Sequence, residues 1–206
     1  MITEQRLEDL TTCEGSPIAV RIGSLNRYIQ YNKGVEIDYA SPFIDLAECD
    51  GSTELLGALE ALGFSQDDMG SLYVHDSKGC LGRLLRNRNT NDPLKLADAV
   101  KALNAETSRE YGLTLRECGE DVASLMRATW IDIFNIAQEL DNYQFVGDNG
   151  LADAAQVAID EIYDDHDGPG FLEQYIDFER LGRDLKAEGE FVADGERVFR
   201  YVGRRK

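Results

Sequence analysis

The sequence predicts an α+β fold built from three small units: a β-rich N-terminal unit, a helical middle and an α+β C-terminal unit. Short strand-like stretches lie near both ends of the chain, and apolar residues at helical spacing occupy the middle. The charge also changes sharply from block to block. We therefore divide the 206 residues into an arm and three units, with these boundaries: 1–17 N-terminal arm, 18–82 α+β unit, 83–130 helical unit and 131–206 acidic α+β unit.

The first unit is predicted from strand patterns that flank a helix. The first strand is a short, mostly apolar run, the second alternates apolar and polar residues, and turn residues separate the two at Asn32-Lys33-Gly34. Ser52 is expected to cap the helix and Gly63 to end it. The predicted elements are, in order, a strand over 18–22, a strand over 35–39, a helix over 53–62 and a strand over 72–74.

The middle unit is predicted to be helical. Asn91-Asp92-Pro93 is typical of a helix start, because proline is favoured at the first helical position. The next apolar residues recur at helical spacing at Leu94, Ala97, Val100 and Leu103. A second helix is predicted over 118–126.

The last unit mixes helices with a hairpin. Residues 130–140 are mostly apolar and predict a strand followed by a helix, whereas 151–163 predict a helix. The buried face of that helix is predicted at Leu151, Ala154, Ala155, Ala158 and Ile162. The remaining predicted elements are short helical pieces over 171–175 and 178–185 and a hairpin of 190–192 and 198–202 around Asp194-Gly195.

The negative charge is strong and unevenly distributed. The chain has 39 acidic and 21 basic residues, which gives a formal net charge of −18. Residues 83–127 carry 7 acids and 8 bases, whereas 132–196 carry 18 acids and only 3 bases. Such an excess opposes folding by self-repulsion, so it calls for a functional or environmental reason.

Two ordinary reasons for this acidity stay open. Salt-adapted proteins are acidic and poor in lysine, and this chain has six lysines against fifteen arginines. Charge also promotes solubility. A salt-adapted surface is expected to be acidic throughout, so the clustering between 132 and 196 counts against the first reason.

The predicted helix over 151–163 carries a row of carboxylates opposite its apolar face. Asp153, Asp160, Asp164 and Asp167 fall within about 60° of one another if the helix continues. Duplex DNA presents about one phosphate charge per 1.7 Å of axis, so a carboxylate row can imitate a phosphate row. The alternative is a solvated helix surface without a partner. We predict collective partner binding by Asp153, Asp160, Glu161, Asp164, Asp165, Asp167, Glu173 and Asp177.

The sequence offers little support for catalysis. Asp164-Asp165-His166-Asp167 resembles a metal-binding string but lacks the spacing of a calcium loop. His75-Asp76 has no nucleophile motif nearby in the sequence. We predict no catalytic residue, no metal site and no cofactor. A metal-dependent hydrolase built on 164–167 remains the alternative from a different functional class.

The cysteines and the N-terminus indicate a cytoplasmic protein. The four cysteines lie more than thirty positions apart, so neither a CxxC pattern nor a disulfide framework is expected. The N-terminal residues lack the features of a secretory signal, and no apolar run is long enough to span a membrane. The few basic clusters also predict no direct binding of nucleic acid by this chain.

Residues 175–185, Tyr-Ile-Asp-Phe-Glu-Arg-Leu-Gly-Arg-Asp-Leu, followed by Gly189 and Phe191, resemble the C-terminal pattern of the ArdA antirestriction family. Residues 22–28, 31–34 and 73–76 are similar to family features in the same order. The motif positions are Tyr175, Ile176, Asp177, Gly182, Arg183, Asp184 and Leu185. We interpret Tyr175, Ile176 and Leu185 as core, Gly182 as a turn and Arg183 as a partner for a carboxylate.

The resemblance implies an elongated, three-part monomer that pairs into a bent, DNA-like homodimer. It also implies inhibition of type I restriction-modification enzymes by occupation of the DNA site in their methyltransferase core. Phages and other mobile elements typically carry such genes to evade host defence. The alternative within the same physical class is a DNA mimic that inhibits another DNA-binding defence protein, such as a CRISPR effector.

Overall fold

Two three-stranded antiparallel sheets and the helices around them form the fold of the described residues, which confirms the predicted α+β class. The computed structural model describes residues 2–85, 92–163 and 174–203. Contacts between Cα atoms divide the chain into two compact units. Unit 1 comprises Met1–Glu120 and Ile133–Ala137, and unit 2 comprises Asp121–Asp132 and Gln138–Lys206. The finer division into an arm and three units stays a prediction.

The sheet of unit 1 is built around its first strand. β1 (Ala19–Ser24) lies between β2 (Ala40–Asp45) and β3 (Leu72–Lys78), and both neighbours run antiparallel to it. Five of the six residues of β1 are buried, as expected for a central strand. The strands predicted over 18–22 and 72–74 are therefore confirmed, although β3 is longer than the sequence pattern indicated.

The strand predicted over 35–39 is wrong. Ser24 ends β1 and also caps α2 (Leu25–Asn32), so the chain reaches the sheet again only at Tyr39, whose carbonyl accepts a hydrogen bond from the Ser24 amide at 3.1 Å. The strand then runs through Pro42, which is compatible with pairing because β2 lies at an edge of the sheet.

The N-caps of α1 and α3 fix where these two helices of unit 1 begin. Thr3 caps α1 (Glu4–Thr11), which lies within the predicted arm and buries Leu10. Gly51, rather than the predicted Ser52, is the N-cap of α3 (Ser52–Ala61). The short helices α4 and α5 span Gln66–Met69 and Cys80–Leu85.

The two long helices agree with their sequence signals. Asp92 caps α6 (Pro93–Tyr111) by accepting hydrogen bonds from the backbone amides of Leu94 and Lys95, which confirms the predicted start. α7 (Leu115–Thr129) includes the helix predicted over 118–126 and extends beyond it in both directions.

The strand and helix predicted over 130–140 are wrong. After α7 the chain turns at Trp130, whose φ is +62° and whose side chain is 83% exposed. Two 3₁₀ turns follow at Ile136–Gln138 and Leu140–Asn142. The apolar positions that the structure buries here are Ile133, Ile136 and Leu140, whose spacing of three and four fits tight helical turns better than strand pairing.

In unit 2, a helical pair packs beside the second sheet. β4 (Tyr143–Gly147), which the sequence analysis missed, pairs with β6 (Arg197–Tyr201), and β6 pairs with β5 (Phe191–Asp194) in the predicted hairpin. α8 spans Leu151–Tyr163, the range predicted, and α9 spans Phe178–Ala187. Ala154, Phe191 and Val198 form the buried cluster against which Leu185 packs.

Candidate functional site

The candidate site is the acidic surface of unit 2, and α8 is its principal element. Gly150, at φ +78°, turns the chain from β4 into the helix, and its amide donates to the carbonyl of Glu196 at 2.8 Å. Ala154, Ala155 and Ile159 face the core, so the helix is held by one buried side. The opposite side is left to polar residues.

The carboxylate of Asp153 stabilises the first turn of α8 and is not free on an open acidic surface. Its carboxylate accepts a hydrogen bond from the Asn149 amide at 2.9 Å and lies directly against the backbone of Gly147. A carboxylate in the first turn also interacts favourably with the helix dipole. The fold therefore accounts for this charge, although the residue was predicted to bind a partner.

Asp160 and Glu161 lie near the C-terminal end of α8, and both are exposed. Asp160 accepts a hydrogen bond from the Gln156 side chain at 2.7 Å. Glu161 forms a two-pronged ion pair with Arg200, which also contacts Glu190 at 2.8 Å. The hydrogen bond from Arg200 lowers the pKa of Glu161, so this carboxylate stays ionised but is partly neutralised.

The placement of Asp160 is electrostatically unfavourable for the helix. No basic residue occupies the last turn of α8, where the helix dipole favours cations and disfavours carboxylates by about 0.3–1 kcal/mol. Arg200 offsets this cost for Glu161, whereas no described basic side chain forms an ion pair with Asp160. The one hydrogen bond that Asp160 accepts, from the neutral side chain of Gln156, does not compensate its negative charge.

Asp177 has a structural role besides its exposure. It caps α9 by accepting a hydrogen bond from the Arg180 amide at 3.0 Å. The four other carboxylates that were predicted to bind a partner lie outside the described residues; they are Asp164, Asp165, Asp167 and Glu173.

The resemblance motif differs in two places from its interpretation. Tyr175 is 76% exposed, so it is not a core residue. Gly182 is not a turn, because it lies buried inside α9 where a Cβ would overlap the carbonyl oxygen of Leu151 on α8. A glycine in sequence is typical of a turn. The close approach of α8 and α9, which explains Gly182, becomes visible only in the tertiary structure.

The other motif residues agree better with their interpretation. Arg183 pairs with Glu179 at 3.7 Å, as expected of a partner for a carboxylate. Leu185 packs on the core, Ile176 is half-buried, and Asp184 is exposed. The motif therefore mainly holds α9 in place and contributes Asp177 and Asp184 to the surface.

The described part of unit 2 has a large excess of carboxylates, fifteen against six basic side chains. Some are neutralised by close ion pairs, such as Asp121 with Arg197 and Asp194 with Arg127. Six exposed carboxylates form no ion pair with any described basic side chain. They are Asp141, Asp148, Asp160, Asp177, Asp184 and Glu196.

Four of these six were not among the carboxylates predicted to bind a partner, because that prediction centred on the acidic row of the helix over 151–163 and the residues that follow it; they are Asp141, Asp148, Asp184 and Glu196. Asp148 and Glu196 lie in turns and line a cleft of about 370 Å³ together with Arg127 and Arg197. The available signal was the presence of acidic residues in turn-forming segments, such as Gly147-Asp148-Asn149-Gly150.

No protein-family model matches the chain, and no curated protein matches it. The ArdA resemblance therefore rests on the motif residues alone. Within residues 2–85, 92–163 and 174–203, no group of three or more His, Cys, Asp or Glu side chains is arranged to hold a metal ion. No helix of the described chain is long and apolar enough to cross a membrane.

The chemistry available to this surface is electrostatic. Carboxylates without basic partners repel one another and attract cations, and the attraction extends over about 10 Å at moderate ionic strength. A basic surface of another protein would relieve the repulsion. The described acidic surface is therefore suited to binding a cationic partner.

Proposed function

We propose that this protein is a DNA mimic of the antirestriction type, which inhibits type I restriction-modification enzymes by occupying the DNA site of their methyltransferase core. The observation that carries the proposal is the set of six exposed carboxylates of unit 2 that form no ion pair with a described base. The ArdA-like motif supplies the class of target. The acidic surface supplies the means of binding.

A DNA mimic draws on the same electrostatic source of affinity as DNA itself. Much of the affinity of a DNA-binding channel comes from lysine and arginine side chains that neutralise phosphates and release counterions. Carboxylates held on a folded surface can make the same contacts, yet they offer no phosphodiester to cleave and no base to methylate. Steering by the net charge of −18 also speeds the encounter with a basic channel.

The position of Asp160 supports this mechanism over simple solubility. A carboxylate that serves only solubility is equally useful anywhere on the surface, whereas this one stands where the helix dipole opposes it. The carboxylates in the sequence that follows, at 164, 165 and 167, extend the same local excess. Binding to a cationic partner would stabilise charges that the isolated fold does not need.

Inhibition of a purified type I methyltransferase tests the proposal. A first variant combines Asp141→Asn, Asp148→Asn, Asp160→Asn and Glu196→Gln, and a second combines Asp164→Asn, Asp165→Asn, Asp167→Asn and Glu173→Gln. We expect each to weaken inhibition by about tenfold or more, because several phosphate-like contacts are lost together. Single substitutions are expected to have small effects.

A matched control removes the same number of charges from unit 1. It combines Glu8→Gln, Glu14→Gln, Glu60→Gln and Asp67→Asn, all at exposed positions. We expect this control to inhibit nearly as well as the unmodified protein. Equal losses in the control and in the two unit 2 variants would show that only net charge matters, which contradicts a defined mimic surface.

A further inference from the structure

Helix α2 in unit 1 buries a charged residue and exposes apolar ones, which is the reverse of an ordinary surface helix. Its charged residue Arg27 is buried and pairs with buried Asp68 at 3.0 Å. Its apolar residues Leu25, Tyr28 and Ile29 are all exposed. Residues at i, i+3 and i+4 share one side of a helix, so these three form a continuous outward surface.

The exposed surface continues into a cluster of aromatic rings. We name it the tyrosine patch, and it consists of Tyr28, Tyr31, Tyr39, Tyr73 and His75. Tyr39 is central, with its ring centroid 5.6 Å from Tyr28, 5.2 Å from Tyr31 and 5.3 Å from His75. Tyr73 joins at 6.1 Å from His75. These are contact distances for aromatic pairs, and most of the pairs are edge-on.

The patch is anchored on the sheet through Tyr73 and Tyr39, whereas Tyr28 and Tyr31 are carried by α2. Tyr73 on β3 lies over Gly23 of β1, where any Cβ would meet its ring. Tyr39 is held through its carbonyl by the amide of Ser24. Burial, together with the neighbouring Tyr39 and Tyr28, raises the pKa of Tyr73, so its phenol stays neutral at neutral pH. A preformed surface loses little entropy when it binds a partner.

The surroundings of the patch favour a cationic partner. The loop that joins α2 to Tyr39 exposes Glu36 and Asp38 against one exposed cation, Lys33. Residues 1–120 as a whole carry 20 acidic and 12 basic side chains. Aromatic ring faces are themselves negative and attract cations, guanidinium groups most often. A nucleic acid, although its bases stack on aromatic rings, would be repelled by this field.

We propose that the tyrosine patch binds arginine side chains on the surface of a partner protein. Tyr28 and Tyr31 offer exposed rings for the guanidinium planes, Tyr39 orients both rings, and Glu36 and Asp38 supply the charge. This binding surface lies in unit 1 and does not include the acidic surface of unit 2. The inference therefore holds or fails independently of the proposed inhibition of restriction enzymes.

The test uses the full-length protein labelled with ¹³C in its tyrosine rings. A short peptide of alternating arginine and serine is titrated into it, alongside peptides in which arginine is replaced by lysine or by neutral citrulline. We expect the arginine peptide to shift the ring signals of Tyr28, Tyr31 and Tyr39 most, lysine less and citrulline hardly at all. The citrulline peptide is the matched control because it keeps the planar shape without the charge.

Variants separate the rings from general electrostatic attraction. Tyr28→Leu and Tyr31→Leu keep apolar bulk but remove the ring, and each is expected to weaken binding of the arginine peptide about two- to fivefold. Tyr28→Phe and Tyr31→Phe keep the ring and are expected to bind nearly as well. Leu113→Ala removes another exposed apolar side chain of unit 1 and is expected to have no effect.

Three results would overturn the inference. Equal shifts with citrulline and arginine would show that charge is irrelevant, and shifts confined to tyrosines outside the patch would place the peptide elsewhere. The third is a dimer of the unmodified protein, measured by sedimentation, that becomes a monomer when Tyr28→Leu and Tyr31→Leu are combined. That result would assign the patch to a second copy of the chain.

Discussion

The guanidinium group of Arg27 is buried against the carboxylate of Asp68, with the Nε–Oδ2 distance at 3.0 Å. The same guanidinium donates to the backbone carbonyls of Asp38 and Gly63 and lies 3.9 Å from the centroid of the Phe64 ring. Asp68 in turn accepts from Ser24 and Ser65. This network holds α2 and α4 to the sheet and leaves the apolar side of α2 in solvent.

Removal of Arg27 should destabilise the protein strongly. Arg27→Met keeps much of the side-chain volume but leaves Asp68 buried without its cation, which typically costs about 3–5 kcal/mol. The free energy of unfolding, from urea titration followed by circular dichroism, measures the loss. Arg183→Ala removes an exposed pair with Glu179 and should change stability by less than about 1 kcal/mol. Similar losses in the two variants would contradict the burial of the first pair.

The close packing of α8 and α9 makes Gly182 intolerant of a side chain. Gly182→Ala is expected to cost about 1–3 kcal/mol, because the new methyl group overlaps Leu151 and forces the helices apart. Gly57→Ala is the control, since Gly57 also lies inside a helix but has no heavy atom within 4 Å of the place that its new methyl group would take. It should be neutral or stabilising by up to about 1 kcal/mol. Thermal unfolding of both variants measures the difference in sign.

Acid should selectively remove the contribution of Asp68 to the free energy of unfolding. Burial alone would raise the pKa of Asp68, but hydrogen bonds from the Ser65 amide, Arg27 and two serine hydroxyls lower it below its ordinary value of 3.8. A lowered folded-state pKa stabilises the fold above the ordinary value, and this stabilisation is lost as the pH falls through the folded-state pKa. The stability gap between the unmodified protein and Asp68→Asn should thus narrow below about pH 4. A gap that stays constant down to the acid limit of folding would be inconsistent with this assignment.

The cysteines should differ sharply in reactivity. Burial is the main cause that raises the pKa of Cys49 to about 12, so almost no thiolate forms at neutral pH. Cys80 and Cys118 are also buried, whereas Cys13 is only partly so. Iodoacetamide near pH 8 should therefore modify Cys13 first in the folded protein and Cys49 only after unfolding. Peptide mapping by mass spectrometry distinguishes the sites, and early modification of Cys49 would count against its burial.

The sequence predicted those elements whose signals are local. Asp92-Pro93 marks the start of α6, and the apolar spacing of 151–163 gives the bounds of α8. The strand at 40–45 was not predictable in this way, because its place depends on pairing with β1 and on the return path after α2. Gly182 was misassigned for the same reason, since only the packed helix pair shows what its missing side chain avoids.

The candidate site was predictable in composition but not in detail. Counting charges located the acidic excess between 132 and 196, which the exposed carboxylates of unit 2 reflect. The sequence does not show which carboxylates are neutralised: Glu161 meets Arg200 from a strand 39 positions away, and Asp121 meets Arg197 across 76 positions. Partners this distant in the chain come together only through the tertiary fold.

Competition with DNA is the most direct test of the central claim, that the acidic surface takes the place of a nucleic acid. Fluorescence anisotropy of a labelled DNA duplex bound to a type I methyltransferase core would be followed as the protein is added, at about 50 mM and about 200 mM salt. The account predicts that the DNA is displaced at equimolar protein in low salt, and that the affinity of the protein for the DNA-free methyltransferase core, measured with labelled protein at the same two salt concentrations, falls steeply as salt rises. DNA that stays bound at saturating protein, or an affinity for the DNA-free core that does not depend on salt, would contradict it.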